Sequence, residues 1–312
     1  MTTKNLGTLV IGLVLILSGC KTSFSDYNQK ETAKSIIILG LDGLSVDAYN
    51  TAKHPNLDQL FKDGVLSLNT RAVMPSVTLP NWTSHLTGSG PEQHGVHGNG
   101  WTIKDHPLPP MEQDGDGYYP SIFKLLKDEI PNVKTAYYYN WKELIYPINQ
   151  RYLDEINFLE NYDYEENYKM AKSFAIRHKD DPTLIFLYSV HTDYAGHTHG
   201  WMSPEYISAI EEADVKIGEL IDGLKEAKIY DQSHFFLITD HGGVGKSHGG
   251  MSTTEMLVPW AVTGPGINKH IKMKDPNNNT NTAMIIARLF GIENIPKSWI
   301  GQVPQPIFEA RR

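Results

Sequence analysis

Three runs of consecutive apolar residues, rich in β-branched and aromatic side chains, stand out along the chain: 35–41, 183–190 and 234–239. A run that is apolar at successive rather than alternate positions suits a strand covered on both faces of a parallel sheet. Shorter runs at 64–68, 133–139 and 258–263 read as further strands. Between them the apolar period lengthens to that of a helix, at 56–62, at 119–130 with Ile122, Phe123, Leu125 and Leu126, and at 282–290. The longest helix opens at Ser203-Pro204-Glu205, which supplies an N-cap, a proline at the first helical position and an acid in the first turn. Ile207, Ile210, Ile217, Ile221 and Leu224 form its buried stripe. Asp214 falls on that stripe, so it is expected to fix a neighbouring loop through hydrogen bonds. Strands alternating with helices predict an α/β fold.

One stretch breaks the pattern. Residues 75–101 are dense in hydroxyls, amides and histidines, and eight of these 27 positions are Gly or Pro. Such a segment is either a long surface loop with one short helix or a backbone shaped to face a ligand. Its own composition leaves both readings open. Residues 277–281, four of them Asn, read as an exposed loop, and the aromatics at 137–141 and 162–168 as core and half-buried surface without chemistry.

The 312 residues carry a net charge of -8, which gives no electrostatic footprint for a nucleic-acid polymer. A small phosphate ester stays admissible if metal ions supply positive charge. The single cysteine, Cys20, excludes a disulfide framework and a thiolate metal site, so any metal must be held by His, Asp or Glu. Lys4, an apolar run at 6–17 and Leu17-Ser18-Gly19-Cys20 resemble a bacterial lipoprotein signal. That resemblance implies a signal peptide at 1–20, a lipid on Cys20, a polar tether at 21–34 and a single catalytic domain at 35–312. The expected location is the cell envelope, lipid-anchored on the periplasmic or outer-surface side, with membrane contact through the N-terminal lipid alone.

Each long apolar run ends in a carboxylate. Asp42-Gly43 follows the first, Asp193 with Gly196-His197 the second, and Asp240-His241-Gly242 the third, with His248 seven residues beyond His241. Side chains just past such strands lie at the carboxyl edge of the sheet, where ligands bind in open α/β folds. Asp193 and His197, four apart on what reads as a glycine-containing loop, can converge on one cation. His191 and His199 read instead as surface or supporting histidines. Three carboxylates and three imidazoles on one edge suffice for two divalent ions with open positions, and the nitrogen content suits zinc better than magnesium.

With Thr78-Leu79-Pro80-Asn81, Gly88, Pro91-Glu92, His94-Gly95-Val96 and Gly98-Asn99 added in order, the chain resembles the alkaline phosphatase superfamily, and within it the nucleotide pyrophosphatase/phosphodiesterase family. The resemblance runs from Ile36 to about Thr263. It implies an alkaline-phosphatase-like three-layer sandwich, a mostly parallel central sheet with helices on both faces. It also implies two Zn2+, one held by Asp42, Asp240, His241 and the Thr78 oxygen, the other by Asp193, His197 and His248. Thr78 would be the nucleophile of an in-line attack that forms a phosphothreonine intermediate, and Asn99 would contact a phosphate oxygen. Asn81 is expected to order the Thr78 turn, with substrate contact as the weaker alternative.

The start Asp42-Gly43-Leu44-Ser45 and the segment Thr198-His199-Gly200-Trp201 depart from the family pattern, which weakens any transfer of nucleotide specificity. Thr78 stands where sulfatases of the superfamily need a cysteine or serine, so sulfate esters are not the expected substrate. The same site could serve a phosphomonoesterase or a phosphoglycerol or phosphoethanolamine transferase. Lys246 is the sole cation in the motif loops, where monoesterases commonly add one for the second charged oxygen. A lipoprotein that keeps the fold and only binds ligands is the non-catalytic alternative. No protein partner is expected, and Trp82 and Trp101 are open between packing and substrate wall.

Overall fold

A computed structural model describes residues 32–309. Cys20, the signal segment and most of the tether lie outside the described residues. Nine strands form one sheet: β1 (Ser35–Leu41), β2 (Val65–Arg71), β3 (Lys134–Tyr139), β4 (Glu155–Phe158), β5 (Thr183–Ser189), β6 (Ser233–Ile238), β7 (Leu257–Thr263), β8 (Ile271–Lys272) and β9 (Asn277–Asn278). Their order is β4-β3-β5-β1-β6-β7-β2-β8, with β9 also on β2. The first five of these are parallel, and β7 is antiparallel to both β6 and β2. The chain leaves β6 at the carboxyl edge and re-enters the sheet at the same edge, so β7 must run backwards.

Helices cover both faces. They are α1 (Val46–Thr51), α2 (Pro55–Phe61), α3 (Thr78–Thr87), α4 (Pro91–His94), α5 (Ile122–Glu129), α6 (Glu165–Arg177), α7 (His191–His199), α8 (Pro204–Glu226), α9 (Thr253–Met256) and α10 (Asn281–Leu289). Ile36 and Ile38 of β1 join the core that packs under α3, α5 and α10. Ile37, Leu39 and Leu41 join the one under α1, α2, α6 and α8. Burial on alternate sides of one strand explains its unbroken apolar run, and the three layers expected from the sequence are present.

Asp214 behaves as its position on the α8 stripe requires. It is buried, and it accepts hydrogen bonds from the Asn56 backbone N at 3.1 Å, the Asn56 side chain at 2.9 Å and the Leu57 backbone N at 2.8 Å. The carboxylate thereby caps α2, whose own N-cap residue, His54, makes no side-chain cap bond.

One open reading is decided here, and two sequence expectations need correction. Residues 75–101 are not surface filler, because all ten residues of α3 are buried. Thr83, Ser84 and Thr87 donate to the carbonyls of Leu79, Pro80 and Thr83 one turn back, so their hydroxyls enter the interior already satisfied. Residues 277–281 are not an exposed loop either. Asn277, Asn279, Thr280 and Asn281 are buried; Asn277 donates to Thr70 at 2.9 Å while its strand pairs with β2. Amides can replace apolar groups inside when each finds a partner, and composition does not reveal the partner. Finally, residues 191–199 form the helix α7 rather than a loop.

Candidate metal centre and active site

The carboxyl ends of β1, β5 and β6 bring Asp42, Asp193 and Asp240 to one place. Gly43, at φ 69°, makes the approach possible: a Cβ there would sit 3.0 Å from the Cα of Asp193. Two clusters result. In one, the side chains of Asp42, Asp240 and His241 offer ligand atoms within 4.8 Å of one another, all fully buried. In the other, Asp193, His197 and His248 do the same nearer the surface. The clusters adjoin, since the His241 and His248 rings stack with centroids 3.7 Å apart.

Backbone carbonyls fix the orientation of each imidazole. Nδ1 of His241 pairs with Gly242 O at 2.9 Å, Nδ1 of His197 with Lys246 O at 2.9 Å, and Nδ1 of His248 with Ser76 O at 3.0 Å. A nitrogen bonded to a carbonyl must carry the proton, so in the neutral ring each Nε2 presents a lone pair. Those lone pairs point at other acceptors. His241 Nε2 lies 3.1 Å from Asp240 Oδ2 and 3.7 Å from Asp42 Oδ1, and His197 Nε2 lies 3.1 Å from His248 Nε2. Asp42 Oδ1, Asp193 Oδ1 and Asp240 Oδ2 are buried without a hydrogen bond.

Acceptors facing acceptors need a cation or shared protons. Burial, reinforced by the Asp240 and Asp193 carboxylates, pushes the Asp42 carboxyl well above its usual range, and burial lifts Asp193 to about 6. Burial opposes charge on His241, but Asp240, Asp42 and Asp193 outweigh it and push the imidazole up to about 10. The residues therefore fit two divalent cations. Their mixed oxygen and nitrogen donors, with every histidine held through its other nitrogen, are the chemistry of zinc sites.

Thr78 is the first residue of α3, and its Oγ1 lies 3.2 Å from His241 Nε2. Asn99 Oδ1 accepts from the Leu79 backbone N at 2.8 Å, which leaves its amide hydrogens for a ligand. Both residues line a cavity of ≈ 300 Å³ with Asp193, His197, His248, Val190, Trp141, Tyr162 and Tyr194. Asn81 has no capacity left for a substrate. Its Nδ2 donates to the carbonyls of Val73, Pro75 and Val77, and its Oδ1 accepts from Val73 N and from Asn279. It orders the turn before Thr78.

Trp141, Tyr162 and Tyr194 are the residues that sequence reading missed. The local aromatic density was visible, but a half-buried ring and a cavity wall have the same local pattern. The rings of Tyr162 and Tyr194 stack at 4.5 Å on the rim. His191 stacks on Tyr164 at 3.9 Å, bonds the Ala209 carbonyl and joins neither metal cluster. His199 is exposed and outside both. Lys246 donates to the Thr198 carbonyl at 2.7 Å. Trp82 and Trp101 are buried in packing and do not line the cavity.

A mixed sheet sandwiched by helices, with two adjoining Asp/His clusters and a threonine at its carboxyl edge, defines an alkaline-phosphatase-like protein. The family model for type I phosphodiesterase / nucleotide pyrophosphatase matches residues 36–281, and the chain belongs to that family. It is 29% identical over 222 residues to an uncharacterized pyrophosphatase/phosphodiesterase of Schizosaccharomyces pombe, covering 67% of this chain and 44% of that protein. Similarity to human ectonucleotide pyrophosphatase/phosphodiesterase family member 1 is 28% over 214 residues, covering 66% of this chain and 23% of the relative. The bis(5'-adenosyl)-triphosphatase of Pongo abelii is 23% identical over 235 residues, covering 74% and 52%. The chain thus spans about half the length, or less, of these curated relatives. Among solved structures, murine ectonucleotide pyrophosphatase/phosphodiesterase 5, as an inactive variant in complex with AMP, superposes with a TM-score of 0.70 at 17% identity, covering 84% of this chain and 96% of that one. The human counterpart gives 0.71, also at 17% identity, covering 86% and 97%. These likenesses establish the fold.

Proposed function

We propose that the protein is a two-zinc phosphodiesterase that cleaves phosphodiester or phosphoanhydride bonds through Thr78. The observation that carries this reading is the convergence of two acceptor-only Asp/His clusters on one threonine beside a cavity. Bound zinc would lower the pKa of the Thr78 hydroxyl and offset the negative charge that builds during transfer. Asp42, Asp240 and His241 would hold one ion beside Thr78, and Asp193, His197 and His248 the other. Thr78 Oγ1 gives up its proton and attacks phosphorus in line, the P–O bond to the leaving group breaks with its electron pair going to the leaving oxygen, and the phosphothreonine so formed, which keeps the ester substituent that did not leave, is hydrolysed by water. Asn99 donates to a non-bridging oxygen as its charge grows.

The aromatic rim favours a diester over a simple monoester. Trp141, Tyr162 and Tyr194 offer flat apolar faces on which a planar group, such as a nucleobase, can stack. Lys246, engaged with Thr198, does not line the cavity as a second cation for a dianionic monoester. The relatives named above carry pyrophosphatase, phosphodiesterase or triphosphatase in their names, which supports the same class. The test is a turnover profile with zinc over bis(p-nitrophenyl) phosphate, p-nitrophenyl phosphate and a dinucleoside polyphosphate. Faster cleavage of the first and third substrates supports the reading; preference for the monoester, or no hydrolysis at all, refutes it. Envelope anchoring through Cys20 belongs to the same reading, and mass spectrometry of the membrane fraction would detect the lipid or refute it.

A further inference from the structure

Asp42 divides its two oxygens unequally. It is fully buried, and its Oδ2 accepts hydrogen bonds from the Trp82 indole Nε1 at 3.1 Å and from the Tyr188 hydroxyl. Two donors use both lone pairs of that oxygen. Oδ1 receives none and faces His241 Nε2 and the cluster interior.

The two donors come from different parts of the fold. Tyr188 lies on β5, in register with Gly40 of the neighbouring β1, two residues before Asp42. Trp82 lies on α3, one turn after Thr78. Their rings meet edge to face at 5.2 Å. Gly40 lets the indole come down onto β1, because a Cβ there would fall 2.9 Å from Trp82 Cη2. The indole is therefore wedged between strand and tyrosine, with its N–H aimed at the carboxylate.

We propose that Tyr188 and Trp82 are positioning residues, which hold Asp42 as a one-oxygen ligand of the buried metal site and pin the helix of Thr78 to that ligand. The inference rests on the two-metal reading above. With Oδ2 held, the carboxylate cannot rotate to chelate with both oxygens, and Oδ1 stays aimed at the site that also receives Asp240 and His241. The contributions differ by origin. Tyr188 reaches Asp42 from the rigid sheet, so its hydroxyl tunes the ligand alone. Trp82 shares a helix with the nucleophile, so its N–H also sets where Thr78 stands relative to Asp42.

The experiment uses the full chain, stripped of metal and titrated with Zn2+ in competition with a chromogenic chelator, for wild type, Tyr188→Phe and Trp82→Phe. Wild type is expected to take up two zinc ions. In each variant one of the two should weaken by about 10–100-fold while the other keeps its affinity. At saturating zinc, Tyr188→Phe should recover turnover with an unchanged KM for bis(p-nitrophenyl) phosphate, whereas Trp82→Phe should keep a lowered kcat. Melting curves of the metal-free proteins identify folded variants, and if Tyr188→Phe does not fold, the Trp82→Phe titration decides. Unchanged affinity at both sites in a folded variant, or equal weakening of both, overturns the proposal. A wild type that binds no zinc overturns the two-metal reading itself, and this inference with it.

Discussion

The Nε2 atoms of His197 and His248 face each other at 3.1 Å, each ring held from behind by a backbone carbonyl on Nδ1. Two neutral imidazoles in this arrangement present lone pair to lone pair, and only a proton or a metal between them removes the conflict. Removing the metal should therefore cost stability as well as activity. We expect a chelator to abolish turnover and lower the melting temperature, with zinc restoring both. His248→Ala should bind one zinc fewer, measurable by elemental analysis, and its turnover should fall at least about 100-fold.

Thr78 Oγ1 lies 3.2 Å from His241 Nε2, while Asp42, Asp240 and His241 by themselves supply three ligands to the buried site, so the hydroxyl should be removable without emptying it. Thr78→Ala is expected to retain its zinc while turnover drops by about 10³-fold or more. Rapid-quench mass spectrometry of the wild type with bis(p-nitrophenyl) phosphate should find a p-nitrophenyl phosphoryl group on the peptide that contains Thr78. A variant with full turnover would remove the threonine from the chemistry.

The stacked pair Tyr162 and Tyr194 lies on the cavity rim. Tyr162→Ala should raise KM for a base-bearing diester by roughly 5–150-fold, the scale of losing one stacking partner worth about 1–3 kcal/mol. Its kcat should stay near wild type. An equal loss with bis(methyl) and base-bearing esters would argue against stacking.

Asn279 ties the turn before Thr78 to the carboxyl edge of the sheet, since its Nδ2 donates both to Asn81 Oδ1 at 2.9 Å and to the Asp240 carbonyl at 3.0 Å. Asn279→Ala removes both of these bonds, and Asn81 Oδ1 keeps only the Val73 N donor, a loss of about 1–3 kcal/mol. Asn279→Asp should be worse despite its equal size, because it sets a carboxylate oxygen against two acceptors. Chemical denaturation of the two variants checks the order.

His94 supplies a pH dependence independent of metal. Val96 N donates to its Nδ1 at 3.0 Å and its Nε2 pairs with the Ser84 hydroxyl at 3.1 Å, so the buried ring is held neutral. Burial pushes its pKa down to about 3. Below the unfolded-chain value near 6.5 the unfolded state binds a proton that the folded state refuses, so stability is full above about pH 6.5 and is lost as pH falls toward 3. At pH 4.5 the loss should be roughly 3 kcal/mol from this group. His94→Gln should be less stable than wild type at pH 7 yet show a flatter decline, which melting temperatures across that range would reveal.

Much of the fold was legible because burial on both faces leaves an unbroken apolar run, and 35–41, 183–190 and 234–239 could be little else than central strands. The carboxylates that follow them were legible for the same reason: a strand end fixes the sheet edge on which a side chain falls. Buried polar segments were not. In α3 the hydroxyls bond their own helix, and at 277–281 the amides find partners on β2, Asn81 and Asp240, so hydrophilic residues occupy the interior at low cost. Hydropathy records what a side chain is, not what it meets.

By itself the sequence determined an α/β chain with three acidic strand ends, a set of histidines to match, and a threonine-bearing segment of unusual composition at 75–101. Only the tertiary structure decided that residues 78–87 of this segment form a buried helix, that Trp82 and Tyr188 hydrogen-bond Oδ2 of Asp42, and that Trp141, Tyr162 and Tyr194 wall the cavity. The reason is distance along the chain. Strand and helix periods are local and can be read residue by residue, whereas Tyr188 and Asp42 stand 146 positions apart and meet only because β5 pairs with β1.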